Sequence, residues 1–76
     1  MTIATVDARG LLCPLVLAMA KRRMAEVAAG EILLVMATDP EASIDLAAWA
    51  GDEGHSISRR TRAGWTDYAL EKSASL

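Results

Sequence analysis

Apolar residues along this chain fall into two alternating rhythms, one of strand length and one of helical period. Their alternation predicts the order of elements. Residues 2–7 are short and rich in β-branched side chains, and Arg9-Gly10 follows them, which suits a first strand and a turn. Residues 14–29 are good helix formers, with Leu17, Ala20, Met24 and Val27 on one face and Gly30 placed to end the helix as a C′ glycine. The rhythm then changes. Ile32–Ala37 is an unbroken apolar run between Glu31 and Thr38-Asp39-Pro40, which predicts a central strand buried on both faces. A second helix is expected with Asp39 as N-cap and Pro40 at its first position, carrying Ile44, Leu46, Ala47 and Ala48 on its apolar side and stopping near Gly51. Residues 55–61 hold Ile57 among polar neighbours and predict a weaker, more exposed strand. Ala63-Gly64 is the next turn. Residues 65–71 form the last strand, with Tyr68 and Leu70 on one face, and residues 73–76 are expected to fray.

The order β-α-β-α-β-β predicts an α+β fold, an α/β two-layer sandwich in which two helices pack on one face of a four-stranded mixed sheet. No repeat, linker or low-complexity stretch interrupts it, so residues 1–76 are expected to form a single domain. The chain is 53% hydrophobic and 24% charged, a globular balance. Much of the apolar share is alanine and there is no phenylalanine, so Trp49 and Trp65 are expected to supply much of the bulk of a thin core, and they and Met19, Met24 and Met36 are read as core or half-core.

Charge and cysteine count narrow the chemistry. A net charge of −2 argues against bulk attraction to nucleic acid or an anionic membrane, and no apolar run is long enough to span a bilayer. Residues 1–5 lack the basic and apolar regions of a signal peptide. A lone cysteine forms no internal disulfide, and with His55 as the only histidine it builds no four-ligand zinc site. Glu41 and Asp45 have no histidine or cysteine at ligand spacing. No metal or cofactor is therefore expected, and a reducing cytoplasm is the natural compartment.

That cysteine is Cys13, followed by Pro14 where strand gives way to helix. A proline pre-organised for the first helical position puts Cys13 at or beside the N-cap, where unpaired N–H groups and the positive end of the helix dipole converge. The expectation is a favoured thiolate, hence a nucleophile or carrier. The competing reading, a small buried hydrophobe, fits less well with Gly10 ahead and Pro14 behind. Asp7 and Arg9 read as a local turn ion pair, with Arg9 also able to add positive potential near the sulfur. His55 has no third group to orient it toward a cysteine and reads as a strand-edge or turn residue. Lys21, Arg22 and Arg23 form one basic patch and Arg59, Arg60 and Arg62 another; each is either a solvated face or a steering surface for acidic partners.

The stretch Asp7-Ala8-Arg9-Gly10-Leu11-Leu12-Cys13-Pro14 resembles the signature of the TusA-like (SirA-like) sulfur carriers, in which Cys-Pro-x-Pro opens the first helix after an Asp-x-Arg-Gly-x-x lead-in. Lys21, Gly30-Glu31, Asp39-Pro40, Asp45-Leu46, Trp49, Gly54-His55, Tyr68, Leu70 and Lys72 continue the likeness in register. The chain departs from the pattern at Val16, where the family has its second proline, and at Ala47, where many relatives carry proline. Valine leaves the N–H available and the helical turn intact, so the departure bears on partner choice more than on sulfur chemistry.

The resemblance implies a persulfide on Cys13, with Asp7, Arg9, Gly10 and Pro14 as motif residues that orient it. It also implies a donor of the cysteine desulfurase or rhodanese type and an acceptor protein, DsrE-like or similar. Lys21, Arg22, Arg59, Arg60 and Arg62 are the docking candidates. Such a protein is a covalent carrier of the sulfurtransferase type and not a stand-alone enzyme; relatives serve tRNA thiolation, molybdenum-cofactor supply and sulfur oxidation. Two other readings stand beside it. One is a non-catalytic protein- or RNA-interaction module built on the basic patches. The other is a redox-sensing thiol, weakened by the lack of a resolving cysteine.

Overall fold

Alternating burial along the strands decides which face of the sheet the helices cover. The computed structural model describes residues 3–73. Its elements are β1 (Ile3–Ala8), α1 (Leu15–Met24), β2 (Ile32–Ala37), α2 (Ala42–Glu53), β3 (Ser56–Thr61) and β4 (Thr66–Glu71). The strands lie in the order β1-β2-β4-β3. β1 runs parallel to β2, as the intervening helical crossover permits, and the other two pairings are antiparallel. This is the α+β architecture expected from the alternation of elements. Among the described residues no helix is long and apolar enough to cross a membrane.

Two rows cross the sheet beneath the helices: Val6, Val35 and Tyr68 in one, and Ala4, Leu33, Leu70 and Ile57 in the next. Against them α1 sets Val16, Ala20 and Met24, and α2 sets Ala42, Leu46 and Ala50, all buried. Spacing of four residues selects these stripes, and their alanines let the helices approach the sheet closely. Leu33, Leu46, Leu70, Val16 and Val35 are the largest fully buried side chains. Leucine and valine therefore fill the core. Trp49 and Trp65 are only half-buried at its margin, and of the methionines Met24 enters it while Met19 is exposed.

Several expectations are corrected here. β2 is central, but only Leu33, Val35 and Ala37 are sealed; Ile32, Leu34 and Met36 point to the uncovered face and are half-buried. The buried stripe of α1 runs through Val16, with Leu17 at its edge. That helix ends at Met24, not Ala29, and the chain goes on in tighter turns; the Lys72 ammonium donates to the carbonyl of Met24 (3.1 Å) at the helix end and of Val27 (2.7 Å) in the turn beyond it. In α2, Ile44 is 69% exposed and Ala47 and Ala48 face solvent. The N-cap is Glu41, and the helix continues past Gly51 to a left-handed Gly54. Thr2, expected in the first strand, and residues 74–76, expected to fray, lie outside the described residues. Ser73 is tied down: its N–H donates to His55 Nδ1 and its hydroxyl to the Glu53 carbonyl.

Candidate functional site

The C-terminal ends of β1 and β2 lie side by side, so the loops that leave them meet. Gly10 sits at a positive φ of 83°, where a Cβ would be strained, and its N–H donates to Thr38 Oγ1 at 2.9 Å. Three residues on, the Cys13 N–H donates to Asp39 Oδ2 at 2.7 Å. The other oxygen of Asp39 accepts the Glu41 N–H at 2.9 Å. Asp39 thus serves the start of α2 and holds the cysteine loop as well, a role beyond the helix cap expected of it.

Pro14 is the N-cap of α1, one position earlier than the first helical position expected of it, so Cys13 stands beside the N-cap, joined to Pro14 by a cis peptide bond. The Leu15 N–H is consumed by the Leu12 carbonyl at 2.8 Å, and the Leu17 N–H faces the sulfur. Cys13 is half-buried at the rim of the core. Its thiol lies above the ordinary range, chiefly through burial, then through a hydrogen bond to the Asp45 carboxylate and the negative charges of Asp45 and Asp39, with the Leu17 amide pulling the other way. The favoured thiolate is therefore corrected. One helix amide is outweighed by desolvation and two carboxylates from the neighbouring helix start.

Asp7 and Arg9 form the expected pair, with guanidinium contacts of 2.9 Å to both carboxylate oxygens, and this brings the Asp7 carboxyl down to about 2. Arg9 does more than close a turn. Its guanidinium lies 5.0 Å from the centre of the Trp65 ring, joining the end of β1 to the start of β4. Trp65 Nε1 donates to one oxygen of Asp67 at 2.8 Å, and Arg62 Nε donates to the other at 2.7 Å. Arg62 is thus engaged. The patch inferred around it divides between two faces, since Arg59 pairs with Tyr68 on the helix side and Arg60 with Asp67 on the open side.

Other candidates lie elsewhere. Arg22 borders a shallow depression with Val6 and Met19, and Arg23 pairs with Glu26. Lys21 lines a cleft of about 550 Å³ with Trp49, Glu53, His55 and Lys72, toward the C-terminal ends of both helices. His55 stacks edge-on against Trp49 at 5.3 Å. α2 has 12 residues and separates His55 from the sulfur end by about 18 Å of helix. His55 is no partner for Cys13, in keeping with its reading as a turn residue. What sequence reasoning missed is Asp45 against the thiol and the exposed apolar side chains at the sulfur end: Leu12, Leu15 and Ile44.

The chain is similar over most of its length to known proteins. The family described as Sulfurtransferase TusA matches residues 4–72. YrkF of Bacillus subtilis is 46% identical over 50 residues, a stretch that spans 66% of this chain but only 27% of that longer protein. The sulfur carrier protein TusA of Pseudomonas entomophila is 38% identical over 72 residues, covering 93% of this chain and 90% of the relative. A crystal structure of a SirA-like protein from Desulfitobacterium hafniense superposes with a TM-score of 0.83 over 95% of this chain and 99% of the other, at 24% identity. At that identity the superposition speaks to the fold alone.

Proposed function

This chain belongs to the TusA family of sulfur carriers, and from that premise we propose that Cys13 is the atom that takes and gives the sulfur. The observation that carries the proposal is the setting of the chain's sole sulfhydryl on a loop pinned to the starts of two helices, inside the family's matched span. In loading, Cys13 releases its proton to water and its thiolate attacks the outer sulfur of a donor persulfide. A new S–S bond forms, the donor's S–S bond breaks, and the donor departs as a thiolate, leaving Cys13–S–SH. In discharge an acceptor thiolate attacks that outer sulfur and Cys13 departs as the thiolate. Atoms and electrons balance in both steps without an outside oxidant.

The raised thiol changes the kinetics expected of these steps. Only a small fraction of Cys13 is ionised at neutral pH, but that fraction is more nucleophilic than a stabilised thiolate. As a leaving group Cys13 is poorer for the same reason. Both steps are therefore expected to respond to what a partner does to the charges around the sulfur. The donor is of the cysteine desulfurase or rhodanese class, the acceptor is a protein thiol, and a reducing compartment suits both. Lys21, Arg22, Arg59 and Arg60 are exposed cations available to dock acidic surfaces of such proteins.

Intact-mass spectrometry tests the proposal. Incubation with cysteine and a cysteine desulfurase should add about 32 Da, one sulfur atom, at residue 13, removable by dithiothreitol. Cys13→Ser should take up none and keep its fold. Uptake by the serine variant would refute the assignment.

A further inference from the structure

The surroundings of Cys13 carry an address that the basic residues elsewhere do not. Leu12 is 72% exposed and Leu15 56%, bracketing Cys13 and Pro14, while Ile44 is 69% exposed in the first turn of α2. Large aliphatic side chains so exposed, grouped at one end beside a nucleophile, mark a contact surface. The charges there are negative. Asp39 and Asp45 flank the sulfur from α2 and the loop before it, and Glu41 caps the same helix. The cation closest in sequence, Arg9, is held by Asp7 and Trp65. Lys21 lies toward the other end of α1, and Arg62 is bound to Asp67.

Resting on the carrier reading, we infer that this end docks a protein partner presenting its own cysteine on an apolar segment that also bears a lysine or arginine. The chemistry requires that sign. An acidic partner would meet Asp39, Glu41 and Asp45 and hold the Cys13 proton more firmly. A cation set beside Asp45 offsets the carboxylate's charge and frees that proton, so nucleophile formation coincides with arrival of the correct partner. Leu12, Leu15 and Ile44 exclude water around the exchanging sulfurs and strengthen the charge contact. The address is thus opposite in sign to the one Lys21, Arg22, Arg59 and Arg60 suggest, and those residues lie outside it.

The test uses the intact protein and short cysteine peptides activated as thionitrobenzoate mixed disulfides. The Cys13 thiolate bonds to the peptide sulfur, the old S–S bond breaks, and thionitrobenzoate leaves as a coloured thiolate that gives the rate. Four peptides combine leucine or serine flanks with lysine or glutamate. The leucine–lysine peptide should react about tenfold faster than leucine–glutamate at low salt, with the gap closing as salt rises. Asp45→Asn should bring that ratio below about threefold, and Leu15→Ser with Ile44→Ser should remove the leucine-over-serine preference and spare the charge preference. Equal rates for lysine and glutamate peptides overturn the inference. So does a double variant that keeps the leucine preference. A dimer of the unmodified protein that the double variant abolishes also overturns it, by making a second copy of this chain the occupant. Failure of sulfur uptake with the peptide preferences intact would instead strike the carrier proposal and leave this surface standing.

Discussion

Asp45 and the Leu17 amide pull the Cys13 proton in opposite directions, and the carboxylate is reinforced by burial and by Asp39. Alkylation of Cys13 by iodoacetamide should therefore climb with pH beyond the ordinary thiol value of 9.0 before it levels. Asp45→Asn removes an acceptor and a charge that favour the neutral form. Its inflection should fall and its rate at pH 7 should rise roughly threefold or more. An unchanged profile would show that Asp45 does not govern the sulfur. Sequence made Cys13 legible because Cys-Pro at a strand–helix junction is a local signal. It did not make Asp39 legible as the holder of Cys13, since that bond joins residues 26 apart and no local pattern announces it. Asp45 escaped notice for the same reason.

Element order followed from the two rhythms of apolar residues, but the faces of the helices did not. In α2 alanine occupies positions on every side, so the stripe Ala42, Leu46, Ala50 differs little in apolarity from its neighbours. Ile44, the most apolar side chain of the helix, is turned outward. In α1 the stripe runs through Val16, the position where the family has its second proline, and that side chain is fully buried. Val16→Ala should cost about 2 kcal/mol in denaturant unfolding, as a core truncation that leaves a small cavity. Ile44→Ala should stay within about 0.5 kcal/mol. Reversed sensitivities would mean that the two residues had been assigned to the wrong sides.

Across the whole molecule the shifted groups set opposing limits on stability. Asp7, Asp39 and Asp67 are all held below the ordinary carboxylate value of 3.8, by Arg9, by the Cys13 and Glu41 amides, and chiefly by Arg62. Such groups stabilise the fold above 3.8 and lose that contribution as pH falls, Asp7 through about 2. Cys13 has the opposite sense. Its raised value favours the fold below the ordinary 9.0 and the contribution is lost as pH rises past it. Thermal midpoints measured across pH should show a plateau between these limits, with an alkaline decline that Cys13→Ser abolishes. An alkaline limb unaltered in the serine variant would assign that decline to another group.

The double grip of Asp39 has a spectroscopic consequence. One carboxylate accepts the amide of Cys13 through one oxygen and the amide of Glu41 through the other. Any lengthening of the first bond when cargo boards the sulfur alters the electron density left for the second. The Glu41 amide is therefore a built-in gauge: its nitrogen and proton resonances should move between the empty and the laden protein, and return when the cargo is handed on.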